Sequence, residues 1–158
     1  MAINTDNLID FFGTQDVVSA SGGTSAVTDD SFSAAADMDE WTNDDDAPFA
    51  VAVLKFQYPS GTIDTGGVHL YMQLKNIDST NDEPQPDANF EQHFIGTFPT
   101  DAGLAATTDN YVSLGQQFEL PNHYSSQVYE FAIKNSCGVT LTAGWTVKVT
   151  PVTKGVHA

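Results

Sequence analysis

The residue types that could carry chemistry are few and scattered. There are four histidines, His69, His93, His123 and His157, and a single cysteine, Cys137. No histidine has a partner at H-x-H or H-x-x-x-H spacing, and none lies near the cysteine in sequence. A zinc site needs such groups to converge on one point, which those spacings usually signal. The histidines therefore read as surface or interface side chains. His69 and His93 fall on the polar faces of expected strands. Cys137 falls in an expected hairpin turn, with Lys134 the nearest basic residue in sequence. A nucleophilic thiolate needs a base and a cationic setting, so Cys137 reads as a small, inert turn residue. No G-x-S-x-G elbow and no S-x-x-K motif occurs. Gly22 and Gly23 precede Thr24 without the lysine that a phosphate-binding loop requires.

Carboxylates are the one abundant chemistry, with 21 Asp and Glu residues. A glycosidase needs two of them at a fixed separation in a cleft, but here most fall in expected loops. Calcium takes roughly six to eight hard oxygens. Two stretches are dense enough in such ligands to be candidates. One holds Asp37, Asp39, Glu40, Asp44, Asp45 and Asp46; the other holds Asp78, Asp82 and Glu83. Neither fits the EF-hand loop, whose glycine at the sixth position is missing. A calcium site and a solvated acidic loop both remain open, with Asp37, Asp39, Asp44, Asp78 and Asp82 as the candidate ligands. No other cofactor is expected. Trp41 and Trp145 raise a sugar-stacking platform. Trp145 heads a run whose inward residues are valines and is expected in the core. Trp41 lies in the acidic segment, either exposed or anchoring that segment to a sheet.

The elements that would position these residues are strands. Residues 68–75 alternate, with Val68, Leu70, Met72 and Leu74 on one face and His69, Tyr71, Gln73 and Lys75 on the other. That is the period of a half-buried strand. Trp145, Val147 and Val149 alternate with Thr146, Lys148 and Thr150, and Tyr129, Phe131 and Ile133 alternate with Glu130, Ala132 and Lys134. Residues 49–58 begin apolar on both faces, as expected of a central strand covered on both sides. Weaker strands are expected over 15–21, 25–32, 90–98 and 111–120. Turn signals at 60–61, 65–67, 135–138 and 143–144 separate the runs. Pro59, Pro99, Pro121 and Pro151 are read as run ends. The expected architecture is all-β: a two-sheet antiparallel β-sandwich with jelly-roll-like connections and about eight strands. Residues 1–14 are read as an N-terminal arm or short helix, and 15–158 as one sandwich domain. The arm's apolar residues Leu8, Phe11 and Phe12, together with Trp41, are the candidate partner-binding residues.

Composition narrows the partners. The chain has 158 residues, 41% hydrophobic, 16% charged, and a formal net charge of −16. All five basic residues are lysines, Lys55, Lys75, Lys134, Lys148 and Lys154. Nucleic-acid binding needs cations to displace counterions from phosphates, and bidentate phosphate or guanine recognition needs arginine. Contact with nucleic acid is therefore not expected, nor with an anionic membrane surface. One cysteine excludes an internal disulfide framework. The first residues lack the basic and apolar regions of a signal peptide, and no run approaches the ~18 apolar residues of a membrane helix.

Five stretches resemble small virion proteins that phages encode among their head genes. They are YMQLKNIDSTND at 71–82, PDANF at 86–90, IGTFP at 95–99, YEFAIKN at 129–135 and AGWTVKVTP at 143–151. The resemblance is one of overall order across residues 49–152. It implies a non-enzymatic capsid decoration or cement protein that binds the outer surface of the major capsid protein shell and stabilises it. It further implies synthesis in the host cytoplasm, residence on the capsid exterior, and a homo-oligomer, with a trimer favoured by threefold placement. Two readings compete. A receptor- or carbohydrate-binding module of a head fibre or tail would expose Trp41 or loop tyrosines. A hydrolase would show a concave pocket with convergent acids or histidines.

Overall fold

The computed structural model describes residues 8–19, 25–78, 80–123 and 127–156. Among them lie ten strands. They are β1 (Leu8–Phe12), β2 (Asp16–Val17), β3 (Trp41–Thr42), β4 (Phe49–Phe56), β5 (Val68–Leu74), β6 (Phe94–Phe98), β7 (Asn110–Ser113), β8 (Phe118–Glu119), β9 (Val128–Asn135) and β10 (Thr146–Val156). The described helical content is one 3-10 turn, Ala35–Asp37.

The strands form two antiparallel sheets. The first has the order β1-β10-β4-β7, with β2 also on β10 and β8 also on β4; the second has the order β3-β9-β5-β6. Strands β1 and β2 pair with successive parts of β10, and β7 and β8 with successive parts of β4. Counting each of those pairs as one interrupted strand leaves eight. In that count the sheet orders read 1-8-3-6 and 2-7-4-5, the pairing of a jelly roll.

Alternation builds the core between the sheets. Ala50, Ala52, Leu54 and Phe56 of β4 meet Leu70, Met72, Phe131 and Ile133 of the second sheet in one cluster with Val147, Val149 and the fully buried Trp145. Trp145 satisfies its indole N–H on the Ser25 carbonyl at 2.9 Å. The buried Asn135 amide donates to the Val27 and Val139 carbonyls, and its oxygen accepts from the Cys137 N–H. It thereby pins the turn after β9 without leaving a polar group unpaired. Gly67, at φ +82°, leads into β5, and a Cβ there would lie 2.4 Å from Thr97 Cγ2, so only glycine fits.

Several expectations are corrected. Of the two readings of residues 1–14, the short helix does not form over 8–12, which are extended and paired in the first sheet; residues 1–7 lie outside the described residues. Residues 25–32 form no strand and make isolated bridges at Val27 and Phe32. Residues 111–120 are interrupted. Ser113 pairs with Val53 and Phe118 with Ala50, so four residues of this run face two of β4. The excess is a bulge around Gly115, at φ +75°. Pro151 does not end its strand, because β10 continues to Val156. Its carbonyl accepts from Gly13 N–H, between β1 and β2. In a strand the N–H and C=O of one residue point the same way, so the missing donor falls at the β1–β2 break, where no ladder bond is lost. Strand β4 is central but not covered on both sides: Phe49, Val51, Val53 and Lys55 are only half-buried on its outer face.

Candidate functional site

The candidate carboxylates are distributed, and Asp37, Asp78 and Asp82 have local structural tasks. Asp37 is buried in the 3-10 turn and accepts from the Ser25 N–H at 2.8 Å. Asp39 and Asp44 are exposed. Asp44 to Asp46 form the tip of a turn tied at its base by Asn43, which exchanges hydrogen bonds with the N–H and carbonyl of Ala47. Asp78 caps its own turn, accepting from Asn81 and Thr80; these bonds, led by the Asn81 side chain, hold its carboxyl down to about 2. Asp82 accepts from Lys75 at 2.8 Å, which lowers its carboxyl. Among the described residues, no group of three or more His, Cys, Asp and Glu is placed to hold a metal ion.

Lys75 is the centre of the largest ion cluster, reaching Asp82, Glu130 at 3.4 Å and Glu40 at 4.0 Å. Burial alone would lower its ammonium, but the hydrogen bonds it donates to Asp82 and Glu130, with their charges, outweigh it and raise the pKa. Glu130 is raised by burial, against the attraction of Lys75. These groups cross-link β5, β9 and the 76–83 loop.

Trp41 is 6% exposed. Its ring packs against Tyr129 at 5.8 Å and Phe131 at 6.0 Å, and its N–H reaches Asp16 at 3.1 Å. Strand β3 pairs with β9 and turns the ring inward, so it is not offered to a partner or a sugar. Cys137 is fully buried, and burial raises its thiol pKa. His69 bonds Thr97 at 2.8 Å and stacks edgewise on Phe94; burial lowers its pKa. His93 pairs with Glu83 at 3.0 Å.

Exposed apolar surface gathers instead on the first sheet. Phe11 and Phe12 of β1 are 48% and 62% exposed, and Val17 and Tyr111 are also exposed. Strand β1 pairs with β10 on one side, and its other edge ends the sheet. The register carries Phe12, Val152 and Phe49 in one row across the outer face. Beside that row, Val51 and Val53 floor a groove of about 290 Å³ walled by Ser113 to Gln117. A second cleft, of about 460 Å³, opens between β6 and β8 and is lined by His93, Phe94, Ile95, Phe118 and Glu119 among others. Of the sequence candidates, the structure brings Phe12 to this outer face; Phe11, opposite Thr153, is exposed on the other face of β1. Sequence reasoning missed Val51, Val53 and Lys148, whose only signal was the alternation of β4 and β10 once their register is known.

No family model matches the chain, and no curated protein matches it. The fold is similar to that of a chain in the structure of infectious bursal disease virus Gx strain, at 12% identity and a TM-score of 0.40, covering 94% of this chain and 32% of that one. The corresponding likeness for the Gt strain has 12% identity and a TM-score of 0.32, covering 93% and 31%. The chain spans about a third of the length of those viral chains.

Proposed function

We propose that this protein is a non-enzymatic structural component of a phage virion, which decorates the outside of the capsid shell and stabilises it. The observation that carries this reading is the edge strand β1 with its exposed Phe11 and Phe12. An open strand edge bearing large apolar side chains is costly in a free monomer and suits addition to a partner's sheet or pocket. The rest of the reading follows from chemistry. Rigid jelly rolls serve as shell and binding domains without needing an active site. A net charge of −16 with no arginine disfavours packaged nucleic acid and gives decorated particles a mutually repelling surface. The role needs no cofactor. Its partner is the major capsid protein, and assembly as a trimer matches a threefold position on a shell.

The test is binding of the purified protein to shells stripped of it, read by co-sedimentation. The double variant Phe11→Asp, Phe12→Asp should fold as the wild type and lose at least about tenfold in affinity. Unchanged binding would contradict attachment through β1. The carbohydrate-binding reading has lost Trp41 as its platform, and no other observation favours it over attachment to a shell.

A further inference from the structure

The sheet edges among the described residues are blunted, with one exception. Strands β2 and β3 are two residues long, β6 shifts register against β5 at Leu70/Tyr71, and the β7–β8 edge is broken by the Gly115 bulge. Short or bulged edges resist pairing with another chain. Strand β1 runs five residues in unbroken register with β10 and holds no proline, lysine or bulge.

The groups on its open edge follow from the ladder. Gly13 N–H bonds the Pro151 carbonyl of β10. Two residues back along the strand, Phe11 turns its N–H and C=O the same way, so those of Asp10 and Phe12 point off the sheet. Among the described residues, β10 is the strand that β1 pairs with. Large apolar side chains flank this open row on both faces. Phe12 is 62% exposed on the outer face. Phe11 is 48% exposed on the other, although its ring rests on Gly155, where a Cβ would lie 2.7 Å from Phe11 Cε2.

A second copy of β1 is the complement of such an edge, because an antiparallel two-fold offers the same row back to itself. Asp10 decides where the axis falls. Centred on Asp10, the pairing sets two carboxylates directly opposite, which is destabilising. Centred on residue 9, it pairs Phe11 and Phe12 with residues 7 and 6, outside the described strand. Centred on Phe12, it runs off the end of β1 into residues 13 and 14. Centred on Phe11, it pairs Asp10 of each copy with Phe12 of the other, each pair exchanging both backbone bonds. The two Phe11 residues then meet as a non-hydrogen-bonded pair, the closer of the two kinds.

We infer that the free protein, off any shell, pairs with a second copy β1 to β1, with the two-fold axis between the two Phe11 residues. This names what occupies the open edge before a shell does. It rests on the reading of β1 as an interaction edge, and its test uses no shell.

Sedimentation velocity of the full-length wild type should show a monomer–dimer equilibrium. Two bodies of net charge −16 repel, so the dimer should strengthen as salt rises. Asp10→Pro removes an N–H that the β10 ladder does not use and should abolish the dimer. Phe11→Asp, which keeps every backbone bond, should abolish it too and keeps the test valid if proline disturbs β1. Tyr111→Asp, on the opposite edge, should leave it unchanged. On mild oxidation, Phe11→Cys should form a disulfide-linked dimer, since cysteines directly opposite in a non-hydrogen-bonded pair are within reach of a disulfide. Asp10→Cys and Phe12→Cys should not. A protein monomeric at every salt and concentration, association that survives both Asp10→Pro and Phe11→Asp, or linkage through position 10 or 12 in place of 11 would each overturn the inference. A free trimer would overturn it and leave the capsid reading standing. A dimer that links through position 11 but never binds stripped shells would keep it and sink the capsid reading.

Discussion

The ammonium of Lys154 lies 4.8 Å from the centre of the Phe49 ring. The two residues come from adjacent strands, β10 and β4, and meet on the outer face of the first sheet. Directly opposite Phe49 is Val152, which is fully buried although it belongs to no part of the core between the sheets. This face therefore holds a small packed layer of its own, made by Phe12, Val152, Phe49 and the stem of Lys154. Removing the cation with Lys154→Ala should lower stability by about 0.5–1 kcal/mol, measured by urea unfolding. Lys154→Met, which keeps the stem, should recover part of that loss.

The 76–83 loop should loosen in acid. The Asp78 carboxyl is held at about 2, below its ordinary 3.8, and Asp82 is also lowered. A carboxylate depressed in the folded state contributes stability that is complete above its unfolded pKa and lost as pH falls through the folded one. Glu130 is raised and so opposes this trend, gaining on protonation. Thermal melts of wild type and Asp78→Ala should differ most near pH 5 and converge toward pH 2. A gap that persists undiminished at pH 2 would contradict the capping role.

Tyr129 is fully buried and donates its hydroxyl to the Pro121 carbonyl at 2.8 Å. Burial pushes its phenol far above the ordinary range. Tyr129→Phe should leave that carbonyl without its donor and cost about 1–2 kcal/mol, read by chemical denaturation. In an alkaline spectrophotometric titration, the variant should lose the phenol that ionises only with unfolding.

The Cys137 thiol should react with an aromatic disulfide reagent only as fast as the protein opens. It is fully buried and its pKa is raised by burial, so the thiolate is both rare and shielded. Rapid stoichiometric labelling of the native protein would contradict this placement.

The strands that sequence alone resolves are those whose faces differ sharply. The alternation of Val68, Leu70, Met72 and Leu74 against His69 and Tyr71 is a local property that locates β5, but the half-buried reading is corrected: Tyr71 and Gln73 are buried too, with Phe32 packed on Tyr71. The continuation of β10 through Pro151 was not legible, because it depends on a break between β1 and β2 that faces the missing N–H. Trp41 stands among acids in sequence, yet its pairing through β3 turns it into the core. The interaction surface was half legible. Phe11 and Phe12 stand out as apolar residues in a polar segment. The groove does not, because Lys148 and Val53 are 95 residues apart and only the β10–β4 register makes them neighbours.

The most direct test of the central claim is a cryo-EM map of the phage particle that carries this protein. The account predicts density on the outer shell that contacts several copies of the major capsid protein, with β1 and the outer face of the first sheet turned toward the shell. Density confined to the tail, or a particle that lacks the protein altogether, would contradict it.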